Sequence, residues 1–325
     1  MPSVLITCPV FTPRDESPVE RLEAGGCTVR HAPEGAHANE AELAKLLQGH
    51  DAVIAAGETY SHDVMTRVPS LKHIARWGVG FDQVDMPAAT ELGVLVTTTQ
   101  GANDWAVADH AFGLILALAH QIVENDEEVR RGVWGRRIGV DVWRKTLGIV
   151  GLGRIGKGVA RRGRGFEMTV LAAEPEPDMP FVREHGVELA PIEDVLRRAD
   201  FVTLHLPASA ETRHFMNQER LALMKPTAYL VNTARGSLVD EVALYGALVE
   251  GQIAGAGLDV REQEPSSESR FDDIRNVILT SHVAGVTHES MAAMARMAVD
   301  SVLEALSGKR PGGLLNPDVW ERRRR

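Results

Sequence analysis

Three residues in the second half of the chain carry the side chains that redox chemistry on a small acid demands: Arg235 in LVNTARGSLVD, Glu264 in GLDVREQEP and His282 in VILTSHVAG. Moving a hydride to or from the 2-carbon of a hydroxy or keto acid needs a group that takes or returns the hydroxyl proton. An imidazole, whose ordinary pKa lies near neutrality, does both. A carboxylate beside the ring holds it and favours its protonated form. The substrate carboxylate needs a fixed cation, and the planar fork of Arg suits it better than a Lys ammonium. His282 is therefore the candidate acid/base, Glu264 its orienting partner and Arg235 the substrate clamp. The chain has 12 histidines, so one alone is weak evidence and the ensemble carries the reading.

The same half of the chain holds a phosphate-binding pattern. Gly151, Gly153 and Gly156 spell GLGRIG directly after the apolar run Leu147–Val150 and directly before a helical pattern. The first glycine allows a tight turn, the second lets backbone approach a pyrophosphate, and the third permits close packing of helix on strand. A second apolar run, Met168–Ala173, ends at Glu174, 18 residues past Gly156, near the spacing of the carboxylate that binds an adenosine ribose. No Arg or Lys lies in residues 172–178, so a 2′-phosphate would meet a carboxylate without a cation, and the cofactor expected is NAD in preference to NADP.

These groups must be carried by a sheet. The first ninety-odd residues alternate short apolar runs with helix-like stretches (SVLIT, GCTVRHA, EAELAKLLQGHDAVIAA, LKHIARWG, ATELGVLVTT), the pattern of βαβ units. From Asp104 to Val123 the sequence is apolar nearly all round, which predicts one helix buried on most sides at a domain junction or subunit interface. Residues 124–145, with Trp134 and Trp143, read as an extended arm. A second series follows, with strand candidates at TVLAA, FVTLHL, AYLVNT, AGAGLD and NVILTS, and a long amphipathic helix over Ser290–Ser307. The fold class is α/β, two Rossmann-like, doubly wound parallel-sheet domains. Arg235, Glu264 and His282 each stand just past a predicted strand, at the carboxyl edge where such sheets bind ligands.

Composition bounds what else the chain could be. Its 325 residues, 44% hydrophobic, suffice for two domains, and a formal net charge of −10 argues against nucleic acid or an anionic membrane as partner. The one basic run, Arg322–Arg325, reads as a solvated, frayed tail. Two cysteines, Cys8 and Cys27, form no disulfide framework and no metal-ligand spacing, so no metal is expected. There is no basic leader and no run of the ~18 to 20 apolar residues that span a bilayer, so the expected location is cytoplasmic.

Beyond these single features, RWGVGFDQVD (76–85), TQGANDWAVADHA (99–111), RKTLGIVGLGRIG, LHLPASAETRHFMN (204–217), VNTARGSLVDEVAL, AGLDVREQEP and SHVAG together resemble the D-isomer-specific 2-hydroxyacid dehydrogenases, in their phosphoglycerate dehydrogenase-like branch. The resemblance runs from about Asp51 to Pro317. It implies an NAD-dependent oxidoreductase that interconverts a small D-2-hydroxy acid and its 2-keto acid, with Arg235, Glu264 and His282 as the catalytic set. It further implies that amides of Val79 and Gly80 bind the substrate carboxylate and that Arg154 and Ile155 flank the pyrophosphate. Leu206, Pro207 and Thr212 would line the adenine side, and Thr233 and Asp259 would lie near the nicotinamide. It implies a substrate domain split between 1–98 and 288–325, an NAD-binding domain over 99–287, and a homodimer formed through the apolar helix and the arm. One departure bears on substrate: in AAGETY (55–60), where the branch often carries a basic residue for a phosphate, this chain offers Glu58 and no cation. The competing readings are a catalytically silent NAD(H)-binding sensor of co-repressor type and a phosphite dehydrogenase on the same scaffold.

Overall fold

The apolar runs of the first hundred residues become five short strands, β1 (Ser3–Ile6), β2 (Thr28–His31), β3 (Ala52–Ala55), β4 (His73–Arg76) and β5 (Leu95–Thr97). The computed structural model describes residues 1–8, 17–33, 39–266 and 270–324. The five strands pair in the order β2-β1-β3-β4-β5, all parallel. Parallel neighbours need crossovers, which the amphipathic segments supply as helices such as Glu40–Leu46 and Met86–Glu91. Successive residues of β1 point to opposite faces: Val4 and Ile6 pack with Ala298, Val299 and Val302, whereas Leu5 packs with Leu43 and Val64. The first three partners belong to the helix His288–Leu306, capped by Thr287 and Ser290 reciprocally. One compact unit therefore takes its residues from both ends of the chain, Met1–Asn103 and Val286–Arg325, and Asp104–Gly285 forms the other.

In the second unit seven strands, β6 (Thr146–Val150), β7 (Thr169–Ala173), β8 (Glu188–Leu189), β9 (Phe201–Leu204), β10 (Tyr229–Asn232), β11 (Gly255–Leu258) and β12 (Val277–Leu279), form a parallel sheet in the order β12-β11-β10-β9-β6-β7-β8. Strand order reverses between β6 and β9, the topological switch point at which open α/β sheets bind ligands. The helix Asp104–Ala119 buries Ala108, Ala111, Ile115 and Leu118 in the core that holds Leu147 and Ile149.

Two sequence expectations need correction. The apolar helix does not run to Val123: it ends at Ala119, Gln121 takes a left-handed φ of 50°, and a second helix, Ile122–Arg130, leaves at 62°. The expected arm thus begins as a helix. None of its residues is buried, and the i,i+4 pairs Asp126–Arg130 (2.7 Å) and Glu127–Arg131 (3.6 Å) support it in place of packing. The arginine tail is not a frayed end either. The Arg324 guanidinium donates to the carbonyls of Met65, Val68, Leu71 and Leu92, and its N–H donates to Gly93. These carbonyls lie at or near the C-terminal ends of the helices His62–Arg67 and Met86–Glu91, where the last turn leaves acceptors unpaired. Arg325 lies outside the described residues. Among those described, no single helix is long and apolar enough to cross a membrane.

Candidate active site

The glycine turn follows β6 directly. Gly151 has φ +93°, and a Cβ there would fall 2.6 Å from the His205 carbonyl oxygen. A Cβ at Gly156 would meet the Gly151 carbonyl oxygen at 2.1 Å, so neither position admits a side chain. Gly153 is the exposed member, with open space where its Cβ would lie. The helix Arg154–Gly165 starts behind it without a side-chain cap, leaving its first N–H groups for an anion. Arg154 is exposed on that first turn and Ile155 packs half-buried against the core.

Glu174 is the first residue after β7, and its carboxylate is fixed beside the turn: Oε2 accepts the Leu152 N–H at 2.8 Å and Oε1 the Glu176 N–H at 3.1 Å. Each oxygen keeps a further lone pair for a ribose hydroxyl. Beyond β9, Leu206 is half-buried and Pro207 exposed, and Thr212 ties their loop together by donating to the Pro207 carbonyl at 2.8 Å. Thr233, past β10, is 7% exposed, and its hydroxyl oxygen is buried without a hydrogen-bond partner among the described residues. An orphaned buried hydroxyl on the same sheet edge as an uncapped helix and a glycine cradle fits a dinucleotide lying along that edge.

The three chemistry-bearing residues all lie in the second unit, and the fold brings them to one sheet edge. The Nδ1 of His282 sits 2.7 Å from Oε2 of Glu264. Against an ionised carboxylate that nitrogen carries the proton, which leaves Nε2 outside this contact. The second oxygen of Glu264 accepts the Arg261 N–H at 2.8 Å. His282 has a left-handed φ of 56°, held from both sides by Asp259. The Asp259 carbonyl accepts the His282 N–H at 2.7 Å, and its carboxylate, in a residue 1% exposed, accepts Thr280 Oγ1 (2.5 Å) and the N–H groups of Val283 and Ala284 (2.9 Å each). Arg235 is held through buried Asn232, which donates to the Arg235 carbonyl at 2.8 Å and accepts the Ala234 N–H at 3.1 Å.

Electrostatics follows this geometry. The hydrogen bond to Glu264 raises the His282 pKa above the ordinary imidazole value, opposed by burial and by the Arg235 charge. For Glu264, burial works to raise the pKa, but the bonds from His282 and Arg261 and the charges of His282 and Arg235 together hold it below the ordinary carboxyl value. Each shift favours the charged form of its group, so the pair stabilises itself as an ion pair.

Val79 and Gly80 belong to the other unit, in the loop after β4. Gly78 is clamped there, its N–H donating to Thr99 Oγ1 and its carbonyl accepting the Thr99 N–H, both at 3.0 Å. Arg76 Nε donates to the Gly80 carbonyl at 3.2 Å. The N–H groups of Val79 and Gly80 meet no acceptor among the described residues. Sequence reasoning missed Asn232 and Arg261, and it missed the part of Asp259 in holding the His282 loop. Asn232 lies in the quoted VNTARG segment and could have been found there; Arg261 acts through contacts that only the fold creates.

A doubly wound sheet with this glycine turn and this edge of ionisable residues defines a dinucleotide-binding protein of the Rossmann type. The family description "D-isomer specific 2-hydroxyacid dehydrogenase, NAD binding domain" matches residues 112–284. A glyoxylate reductase of Korarchaeum cryptofilum is 44% identical over 264 residues, 79% of this chain and 80% of that protein. A crystal structure of a Thermus thermophilus protein superposes with a TM-score of 0.87 at 35% identity, covering 96% of this chain and 99% of its own. The D-lactate dehydrogenase of Aquifex aeolicus, complexed with NAD and lactic acid, gives 0.83 at 27% identity, covering 97% and 99%. The chain belongs to the D-isomer specific 2-hydroxyacid dehydrogenase family: it is an NAD-binding oxidoreductase that interconverts 2-hydroxy and 2-keto acids.

Proposed function

We propose that the protein reduces a short, unphosphorylated 2-keto acid of the glyoxylate type to the D-2-hydroxy acid, with His282 as acid/base, Glu264 as its partner and Arg235 on the substrate carboxylate. The observation that carries this reading is the 2.7 Å contact of His282 with Glu264, with the charge of Arg235 acting on both. Bound NADH supplies the hydride. Arg235 takes the substrate carboxylate, and the amides of Val79 and Gly80, which meet no acceptor among the described residues, are read as further substrate-binding groups. The keto oxygen then lies against the proton on Nε2 of His282, which passes to it as the alkoxide forms. Glu264 stabilises the cationic ring before the transfer and keeps its orientation after it.

For the cofactor, Gly151, Gly153, Arg154, Ile155 and Gly156 hold the pyrophosphate, and Glu174 takes the adenosine ribose and favours NAD over NADP. Leu206, Pro207 and Thr212 line the adenine, and Thr233 and Asp259 the nicotinamide side. The split unit serves as substrate domain and the other as NAD-binding domain. Short unphosphorylated substrates are favoured because Glu58 is 6% exposed with its carboxylate on the Ala56 N–H at 2.9 Å, while Arg76 is 8% exposed. We further read the protein as a cytoplasmic homodimer; free, buried Cys8 and Cys27 fit a reducing compartment, and fractionation beside a cytosolic marker checks the location.

The test is a panel of glyoxylate, hydroxypyruvate, pyruvate, 3-phosphohydroxypyruvate and phosphite, the keto acids with NADH or NADPH and phosphite with NAD, read by nicotinamide absorbance. Turnover of the short keto acids with NADH is the expected result. Preference for the phosphorylated acid, turnover of phosphite alone, or binding of NADH with no turnover of any acid would each refute it.

A further inference from the structure

Residues 259–266 contain no helix or strand, yet they must hold Glu264 within hydrogen-bond reach of His282. Past Asp259, whose N–H donates to the Asn232 carbonyl at 3.0 Å and whose carbonyl accepts the His282 N–H, such a segment relies on side-chain anchors, since its backbone makes no ladder. The anchor is at Arg261, whose N–H donates to Glu264. Its guanidinium makes a two-pronged ion pair with Glu241, Nε to Oε1 at 2.9 Å and Nη2 to Oε2 at 3.0 Å, with the two side chains 11% and 14% exposed. Glu241 also accepts the Glu262 N–H at 2.8 Å, so one carboxylate grips two consecutive residues of the segment. The guanidinium lies 4.9 Å over the ring of Phe271, which is 2% exposed. On its other side the segment abuts the substrate clamp: a Cβ on Gly236, the neighbour of Arg235, would fall 1.8 Å from the Arg261 carbonyl oxygen.

We infer that Arg261 and Glu241 are positioning residues for the reaction, their ion pair setting the segment that aligns Glu264 with the imidazole and seats the loop of Arg235. The inference rests on the roles of His282 and Glu264 proposed above. Neither Arg261 nor Glu241 touches the reacting atoms; each acts through the backbone of 261–264. A partly buried, two-pronged pair suits this task because it fixes direction as well as distance. Charged groups facing the pair among the described residues include Arg270, which acts on Glu241, and Glu262 with its partners Arg213 and His214, the last also near Asp240. Those acting on His282 are Glu264, Arg235 and Asp259.

Arg261→Met keeps the apolar stem on Phe271 and removes the fork, and Glu241→Gln is an isosteric variant should the first fail to fold. In either, kcat for keto-acid reduction should fall by about 10-fold or more, as expected when a reacting group is displaced by a fraction of an ångström, while KM for NADH stays within about two-fold. The upper pH limb of kcat should move toward lower pH as Glu264 loosens from the ring, and Arg261→Lys should recover part of both effects. A lowered Tm with kcat and the pH limb unchanged would overturn the inference. His282→Ala and Glu264→Gln, measured alongside, separate the two levels. If both cripple turnover while Arg261→Met and Glu241→Gln behave as wild type, only the positioning role falls; if they too leave turnover intact, the reading on which it rests falls.

Discussion

At the scale of single residues, the acid/base role proposed for His282 ties the pH behaviour to its contact with Glu264. Reduction needs the protonated ring, and its pKa is raised above the ordinary value of about 6.5 by the carboxylate. The kcat for reduction should therefore hold level through about pH 6.5 and fall as pH rises through the raised value, while oxidation rises over the same range. In Glu264→Gln the anionic partner is lost, and the limb should shift to lower pH in both directions of reaction. Profiles that do not move between wild type and variant would show that another group titrates. Arg235, Glu264 and His282 were legible in the sequence because each follows a recognisable strand and each has one chemistry to offer. The Asp259 carboxylate and the Arg261–Glu241 pair were not, since a buried anchor has no spacing signature and depends on which loops the fold brings together.

At the scale of elements, eleven of the twelve strands among the described residues coincide with apolar runs visible in the sequence, and the twelfth, β8, has only two residues and leaves no pattern to find. The break after Ala119 was hidden because the apolar character continues through Ile122 and Val123 while the backbone turns at Gln121. The Arg324 anchor was hidden because a terminal arginine run looks the same whether its acceptors are water or helix-end carbonyls. The helix Ile122–Arg130 and the stretch after it expose Ile122 (53%), Trp134 (89%) and Ile138 (90%). So much exposed apolar area on one stretch of chain is the physical support for the homodimer reading. The double variant Trp134→Asp/Ile138→Asp should run as a monomer by light scattering where the wild type runs as a dimer; a wild-type monomer, or an unchanged dimer in the variant, would contradict it.

At the scale of the whole molecule, the chain has a net charge of −10 and handles an anionic substrate, so recognition must be local. The doubly wound architecture gives that locality: every parallel strand ends on the same edge, so residues as distant in sequence as Gly151 and His282 share one edge of the sheet. The central claim is that His282 moves the proton of the reaction and takes no part in holding the cofactor. It is tested most directly by comparing wild type and His282→Ala in glyoxylate reduction, with NADH binding followed separately by nucleotide fluorescence. The account predicts unchanged NADH affinity and a kcat lower by about 10²- to 10⁴-fold, the range for loss of a general acid. Turnover near the wild-type rate in His282→Ala would contradict it.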